Sequence, residues 1–268
     1  MIFREIKKIC LKFNIVNDKY HNQIRMKKIV KILFALLILL IIFAGITFLI
    51  QEESHKDIET LDQYTTILGN NSNRTVYKIT CGNNSSNDTV IVILGVHSLE
   101  GGIHNVTNDT IINLTKENSL NKKFIVYFIK LNYKDSGLNT SDYNTNRHMG
   151  ELLANEYVVP DIENYDPYLV IDIHEMESYW EKQSYVGVMD NKSIVEMDYA
   201  YKISDNLSYP IYTINAGSSP EWVTIPIAKN NHTVILFETP QKDSKNTKMQ
   251  IARDLIKTID DLPVYRFQ

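Results

Sequence analysis

Seven short runs rich in β-branched and aromatic residues recur along the chain, and several are apolar without interruption. They are VYKITCG (76–82), TVIVILGVHS (89–98), FIVYFIKLNY (124–133), YLVIDIHE (168–175), SYVGVMD (184–190), YPIYTI (209–214) and TVILFETP (233–240). A strand that is apolar at every position, not only at alternate ones, has both faces covered. Between the runs lie segments with helical spacing. NRHMGELLANEYVVPDI puts Met149, Leu152, Leu153 and Tyr157 on one stripe, and NKSIVEMDYAYKISDNL and DSKNTKMQIARDLIKTIDDL are comparable. Strands alternating with helices predict an α/β fold with a mixed, largely parallel central sheet flanked by helices. A chain of 268 residues has room for one such domain and a short accessory segment.

The accessory segment is N-terminal. Residues 32–50, ILFALLILLIIFAGITFLI, carry no charge over about 19 positions, close to the ~20 that span a bilayer as a helix. Lys19, Arg25, Lys27, Lys28 and Lys31 precede this run and QEES follows it. The positive-inside rule then places the N-terminus in the cytoplasm and everything beyond Gln51 outside. A cleaved signal peptide is the competing reading, but the run is long for one and no A-x-A site follows. The expected organisation is a cytoplasmic tail or misassigned start over 1–25, a transmembrane anchor over 26–51, a polar stalk over 52–70 and an extracytoplasmic domain over 71–268. About a dozen N-x-[ST] triplets, Asn73, Asn105 and Asn206 among them, are compatible with export, although an Asn-rich chain generates them by chance. A net charge of −4 with no basic stripe in the main body argues against a nucleic-acid partner. Cys10 and Cys81, without CxxC spacing, argue against a disulfide framework or a thiolate zinc knuckle.

In open α/β sheets, ligands bind at the carboxyl ends of strands. Here VIVILGV ends at His97 with Glu100 three residues on, YLVIDI ends at His174, and TVILF ends at Glu238. Singly, each is a strand entering a polar turn, and H-x-x-E arises by chance. Together, two imidazoles and one carboxylate make the His₂Glu set of a catalytic zinc, with the fourth position left for water. Gly95, Gly101 and Gly102 let the backbone turn around the first pair. Asp172 either orients a ligand from behind or packs within the sheet. Glu238, flanked by VILF, sits at a dry strand end and suits a general base acting on zinc-activated water. Arg147 can grip a carboxylate through two N–H groups or steady an oxyanion; alone, it reads as a surface arginine at a helix start. His104 either supports the site from behind or, as the helical stretch favours, lies on a solvated face. Glu175, Tyr179 and Trp180 line a pocket or form a loop rim. NAGSSPEWVTIP (215–226) reads as a loop before a strand, placed to carry specificity.

In chain order, GVHSLEGG, NR, DIHE and FE resemble the signature of the zinc-carboxypeptidase superfamily over roughly residues 89–240. The resemblance implies zinc ligands His97, Glu100 and His174, substrate contacts Asn146 and Arg147, base Glu238, and one Zn²⁺ per chain. Compact spacing makes the chain similar to the succinylglutamate desuccinylase and aspartoacylase branch. Those deacylases carry D-L-N-R-x-F where this chain reads YNTNRHM. Tyr209 and Tyr212 are the candidates for the tyrosine that digestive carboxypeptidases carry between third ligand and base. The reading is a membrane-anchored extracellular metallohydrolase, carboxypeptidase-like or deacylase-like. It would cleave amide bonds in peptides, including cell-wall peptides, or in N-acyl-amino acids. The alternative is a non-catalytic surface-binding relative of the same fold.

Overall fold

The apolar runs become strands of one eight-stranded sheet in the computed structural model, which describes residues 38, 65–71, 74–131, 143–177, 183–190, 193–214, 217 and 219–265. The strands are β1 (Thr65–Asn70), β2 (Arg74–Gly82), β3 (Thr89–Leu94), β4 (Lys123–Leu131), β5 (Pro167–Met176), β6 (Tyr185–Met189), β7 (Ile211–Ile214) and β8 (Val234–Pro240). Their spatial order is β1-β2-β4-β3-β5-β8-β6-β7. β3 runs parallel to β4 and β5, β5 to β8, and β6 to β7, whereas β1–β2, β2–β4 and β6–β8 are antiparallel. The mixed, largely parallel sheet expected from the sequence is therefore present. β3 and β5 lie at its centre and are buried at every position, which is why neither shows the alternation of a half-exposed strand.

Helices cover both faces. α1 (Gly101–Lys116), α4 (Ile194–Leu207) and α6 (Lys245–Asp261) pack against one another on one face. The other face carries α2 (Tyr143–Leu153), a π-helical turn at Ala154–Val158, α3 (Val159–Ile162), a second π-helical turn at Pro220–Thr224, and α5 (Ile225–Lys229). Leu153, Ala154, Val158, Ile162, Val223 and Ile227 close a core there with Ile91, Ile93, Val170 and Val234. The segment 215–226, read as a loop before a strand, thus contains a π-turn and the start of a helix. Pro220 sits in the first turn of this helical run, where a missing N–H costs nothing.

Two further expectations meet the structure differently. Residues 65–70, assigned to the polar stalk, form the edge strand β1, in a register running from Thr65↔Ile79 to Asn70↔Thr75. An edge strand with no buried side chain lacks the apolar signal that marks its neighbours. The anchor expected over 26–51 lies outside the described residues apart from residue 38, as does the tail over 1–25. Among the described residues no helix is long and apolar enough to cross a membrane.

A polar cluster fastens α3 to the sheet. Asp161 accepts from the Tyr127 hydroxyl on β4 at 2.7 Å and from Lys78 Nζ on β2 at 2.9 Å. Burial alone would raise the Asp161 pKa; the bonds from Tyr127 and Lys78 outweigh it and hold the carboxyl below its ordinary value. A depressed folded-state pKa gives stability that is present above the unfolded-state value and lost as pH falls through the folded one. Asp161→Asn is expected to lower stability by about 1 kcal/mol at pH 7, allowing for solvent screening. Urea unfolding of both proteins should show the gap closing below about pH 4, near the reference Asp pKa.

Candidate functional site

β3, β5 and β8 are parallel, so their carboxyl ends share one edge of the sheet. β3 connects to β4 on one side and pairs with β5 on the other, and such a reversal in strand order opens a crevice at the carboxyl ends. His97 lies in that crevice. The chain leaves β3 through Gly95 at φ +80°, where a Cβ would stand 2.1 Å from the Ile129 carbonyl oxygen on β4. The turn needs glycine for conformation and for space.

Glu100 occupies the N-cap position of α1 but makes no capping bond with its side chain. Its carboxylate faces the two histidines instead. Oε1 is 2.8 Å from His97 Nδ1, Oε2 is 2.9 Å from His174 Nδ1, and Oε2 also accepts from the Glu175 backbone N–H at 3.1 Å. One ligand atom from each of His97, Glu100 and His174 lies within 4.8 Å of the others, and all three residues are buried. The opposite ring nitrogens are held from behind. His97 Nε2 is 2.9 Å from Glu151 Oε1, and His174 Nε2 is 2.9 Å from Asp172 Oδ1 and 3.0 Å from Ser219 Oγ. Carboxylates behind both Nε2 atoms leave both Nδ1 atoms turned toward Glu100, as a metal held through Nδ1 requires. A His₂Glu donor set with both imidazoles so oriented fits a zinc ion.

The charges follow from this packing. Burial would raise the Glu100 pKa, but His174 and His97 more than reverse it and hold the carboxyl well below its ordinary range. Burial likewise opposes a charged His174, yet Asp172 and Glu100 flank the ring and push its pKa well up. Arg147 on α2 adds a guanidinium, its Nη1 2.9 Å from Glu100 Oε1. Glu238 is the outlier. It stands in register with His174 on the neighbouring strand, so the two side chains share a sheet face. Burial first, then the nearby carboxylates of Glu100 and Asp172, push its pKa up to about 8, against the lowering influence of His174 and Arg147. Among the described residues its buried Oε2 has no hydrogen-bond partner.

The structure therefore gathers His97, Glu100, His174, Arg147 and Glu238 at one sheet edge. Asn146, on the same turn of α2 as Arg147, is buried, and its carbonyl oxygen accepts from the Arg74 guanidinium. Asp172 is behind His174, not merely within the sheet. His104 is corrected: it is buried, not solvated, with Nε2–H donating to the Ile173 carbonyl at 2.8 Å. Burial lowers its pKa to about 4. Tyr209 packs on Phe237, whose side chain alternates to the face opposite Glu238, and Tyr212 packs against Tyr185. Glu175 is buried away from the cleft, and Tyr179 and Trp180 lie outside the described residues.

Three contributors carried no signal in the sequence. Glu151 reads as an ordinary helix glutamate, yet it is buried between His97 and His148. Arg74 opens an apolar strand, yet its buried guanidinium donates to the Val96 carbonyl and to Ser98 Oγ, at 3.4 Å each, and to the Asn146 carbonyl. It ties the loop bearing His97 to the helix bearing Arg147. Ser219 lay within a segment read as loop. Glu151 and Ser219 each stand just ahead of a π-helical turn, and such turns recur where a helix must place a functional side chain.

No family model and no curated protein matches the sequence. Solved structures do align with it. A metallo-carboxypeptidase from Burkholderia cenocepacia superposes with a TM-score of 0.51 at 9% identity over 78% of this chain and 68% of that one. A protein named as a carboxypeptidase from Burkholderia mallei gives 0.52 at 11% identity over 78% and 66%. A succinylglutamate desuccinylase/aspartoacylase from Rhodobacter sphaeroides aligns at 0.47 and 13% identity over 69% and 58%. The chain spans at most about two thirds of the length of these structures. On the two carboxypeptidase superpositions, the domain has the metallo-carboxypeptidase fold.

Proposed function

We propose that the chain is a membrane-anchored, extracytoplasmic zinc-dependent hydrolase of amide bonds, acting on peptides or N-acyl-amino acids. The observation that carries this reading is the cluster of His97, Glu100 and His174 with a protonation-tuned Glu238 beside it at one strand end. A strongly shifted acid in a cleft next to a metal-competent triad is the pattern of a reactive site. His97 and His174 through Nδ1, with the Glu100 carboxylate, would hold the ion. When bound, zinc supplies Lewis acidity, polarising a carbonyl and making water easier to deprotonate.

The chain's own groups do the rest. Glu238 takes a proton from the water that attacks the amide carbonyl carbon, and returns it to the leaving nitrogen as the C–N bond breaks. A carboxyl with proton affinity near neutrality both takes and gives a proton readily. Arg147, a quarter exposed while still touching Glu100, is placed to meet a substrate carboxylate or a developing oxyanion. Glu151 and Asp172 hold the imidazoles in the required orientation throughout. External placement rests on the uncharged run at 32–50 with its basic flank. Wall peptides are substrates suited to that location.

Metal analysis of the purified full-length protein by mass spectrometry is expected to give one zinc per chain. His97→Ala and His174→Ala should each lose it while remaining folded by circular dichroism. A wild-type protein that stays zinc-free after reconstitution would end the hydrolase reading. Glu238→Gln should keep the zinc and lose at least about a hundredfold in turnover on a panel of peptides and N-acyl-amino acids, the range for a general base. Undiminished turnover would remove the glutamate from the chemistry. Protease treatment of intact cells should release the folded domain that begins with β1, and protection of that domain until lysis would reverse the orientation.

A further inference from the structure

α1 starts without a cap of its own, because the Glu100 side chain is committed to the histidines. The first turn of a helix still carries unsatisfied N–H groups. One of them, Ile103 N–H, donates to Glu175 Oε1 at 2.5 Å. Glu175 follows His174 on β5, so its side chain points to the opposite face of the sheet, beneath α1. Its backbone N–H meanwhile donates to Glu100 Oε2 at 3.1 Å. One residue thus grips the start of α1 with its side chain and the Glu100 carboxylate with its backbone.

That grip is anchored by Lys248 on α6. Lys248 Nζ is 2.5 Å from Glu175 Oε1 and donates to the Gln241 carbonyl at 2.8 Å. Gln241 directly follows β8, the strand that bears Glu238. Its N–H donates to the Met176 carbonyl at 2.9 Å, and its side-chain amide donates to the Leu99 carbonyl at 3.1 Å. Lys248 and Glu175 are each 5% exposed. A Cβ at position 102 would stand 2.5 Å from Glu175 Oε1 and 2.6 Å from Lys248 Nζ, so Gly102 is the residue that makes room for the pair. Burying a lysine and a glutamate together gives little net stability against apolar residues of the same volume, because both are desolvated. Their placement matters more than their contribution to stability.

We propose that Lys248 is a positioning residue for the metal centre. Through Glu175 it fixes Glu100 relative to His174, and through Gln241 it fixes the strand end that carries Glu238. Its effect on the ion rests on the zinc reading above; its effect on backbone geometry does not. Lys122 supplies an internal control. It is similarly buried and donates to the Asp260 carbonyl at 2.6 Å and to the Leu262 carbonyl, but at the far end of the parallel strands.

The test compares wild type, Lys248→Met, Lys122→Met and the milder Glu175→Gln, all as the full chain in detergent. Hydrogen exchange is read by mass spectrometry at peptides containing Ile103, Glu175 and Gln241, and zinc affinity by competition with a chromogenic chelator. Lys248→Met is expected to speed exchange at these three sites about tenfold and to weaken zinc binding at least tenfold. Glu175→Gln should shift both in the same direction, and it carries the test if Lys248→Met fails to fold. Lys122→Met should lower stability without moving either quantity. Unchanged exchange at the three sites, or equal effects from the two lysines, would overturn the proposal. A wild type that binds no zinc would overturn only the metal reading, because exchange still decides whether Lys248 positions these segments.

Discussion

The carboxylate of Glu100 is where three segments of the chain meet. Its oxygens contact His97 from the β3–α1 turn, Arg147 from α2, and both His174 and the Glu175 backbone from β5. A buried carboxylate must be surrounded by donors or it will take a proton. Glu100 meets both imidazoles, the Arg147 guanidinium and the Glu175 N–H, and the two histidines hold its pKa well down. Because each donor comes from a different direction, satisfying the charge also sets where those segments sit. The cost is a helix start left without its own cap, and that is met from β5 and α6.

The same cluster explains features of the fold that stability alone would not favour. Asp172, Glu151 and Glu175 are almost fully buried, in strands and helices otherwise lined with Val, Ile and Leu. Replacing each carboxylate together with its buried partner by apolar residues would cost little stability, since buried pairs return little beyond their desolvation. What the carboxylates provide is orientation. An imidazole has two nitrogens, and only a partner on Nε2 decides that Nδ1 faces inward. The two π-helical turns belong to the same arrangement, because each lies just beyond a residue that braces a histidine.

The central fold and the triad were legible in the sequence because both depend on local pattern. Continuous apolar runs announce doubly covered strands, and a polar residue ending such a run announces a position at the sheet edge. The residues that escaped notice depend on tertiary neighbours. Glu151 has a helix glutamate's surroundings in sequence, and only the crossing of α2 over the β3 exit buries it against His97. Arg74 and Lys248 look like ordinary surface cations until the carbonyls they hold, far off in sequence, come together. His104 was misjudged for the same reason. Its helix is amphipathic, but it lies on the side facing β5. β1 was lost because an edge strand is free to be polar.

Glu100 and Glu238 show how one cluster can set two carboxylates to opposite proton affinities. Both lie at the carboxyl edge of the sheet near His174, Glu100 at the start of α1 and the half-buried Glu238 on β8, yet one pKa is driven well down and the other up to about 8. The difference is in the surroundings: His174 and His97 hold Glu100 down, whereas burial comes first in raising Glu238. Glu100 gathers two imidazoles, a guanidinium and a backbone N–H. Glu238 keeps an oxygen with no partner among the described residues, and has Glu100 and Asp172 as like-charged neighbours. The two carboxylates are therefore coupled: each donor drawn to Glu100 keeps that negative charge in place, and the charge in turn raises the proton affinity of Glu238. A permanently ionised group suits holding a cation, and one that exchanges its proton near neutrality suits acid–base work. Removing the asymmetry, by giving Glu238 a donor or taking one from Glu100, would shift both proton affinities at once.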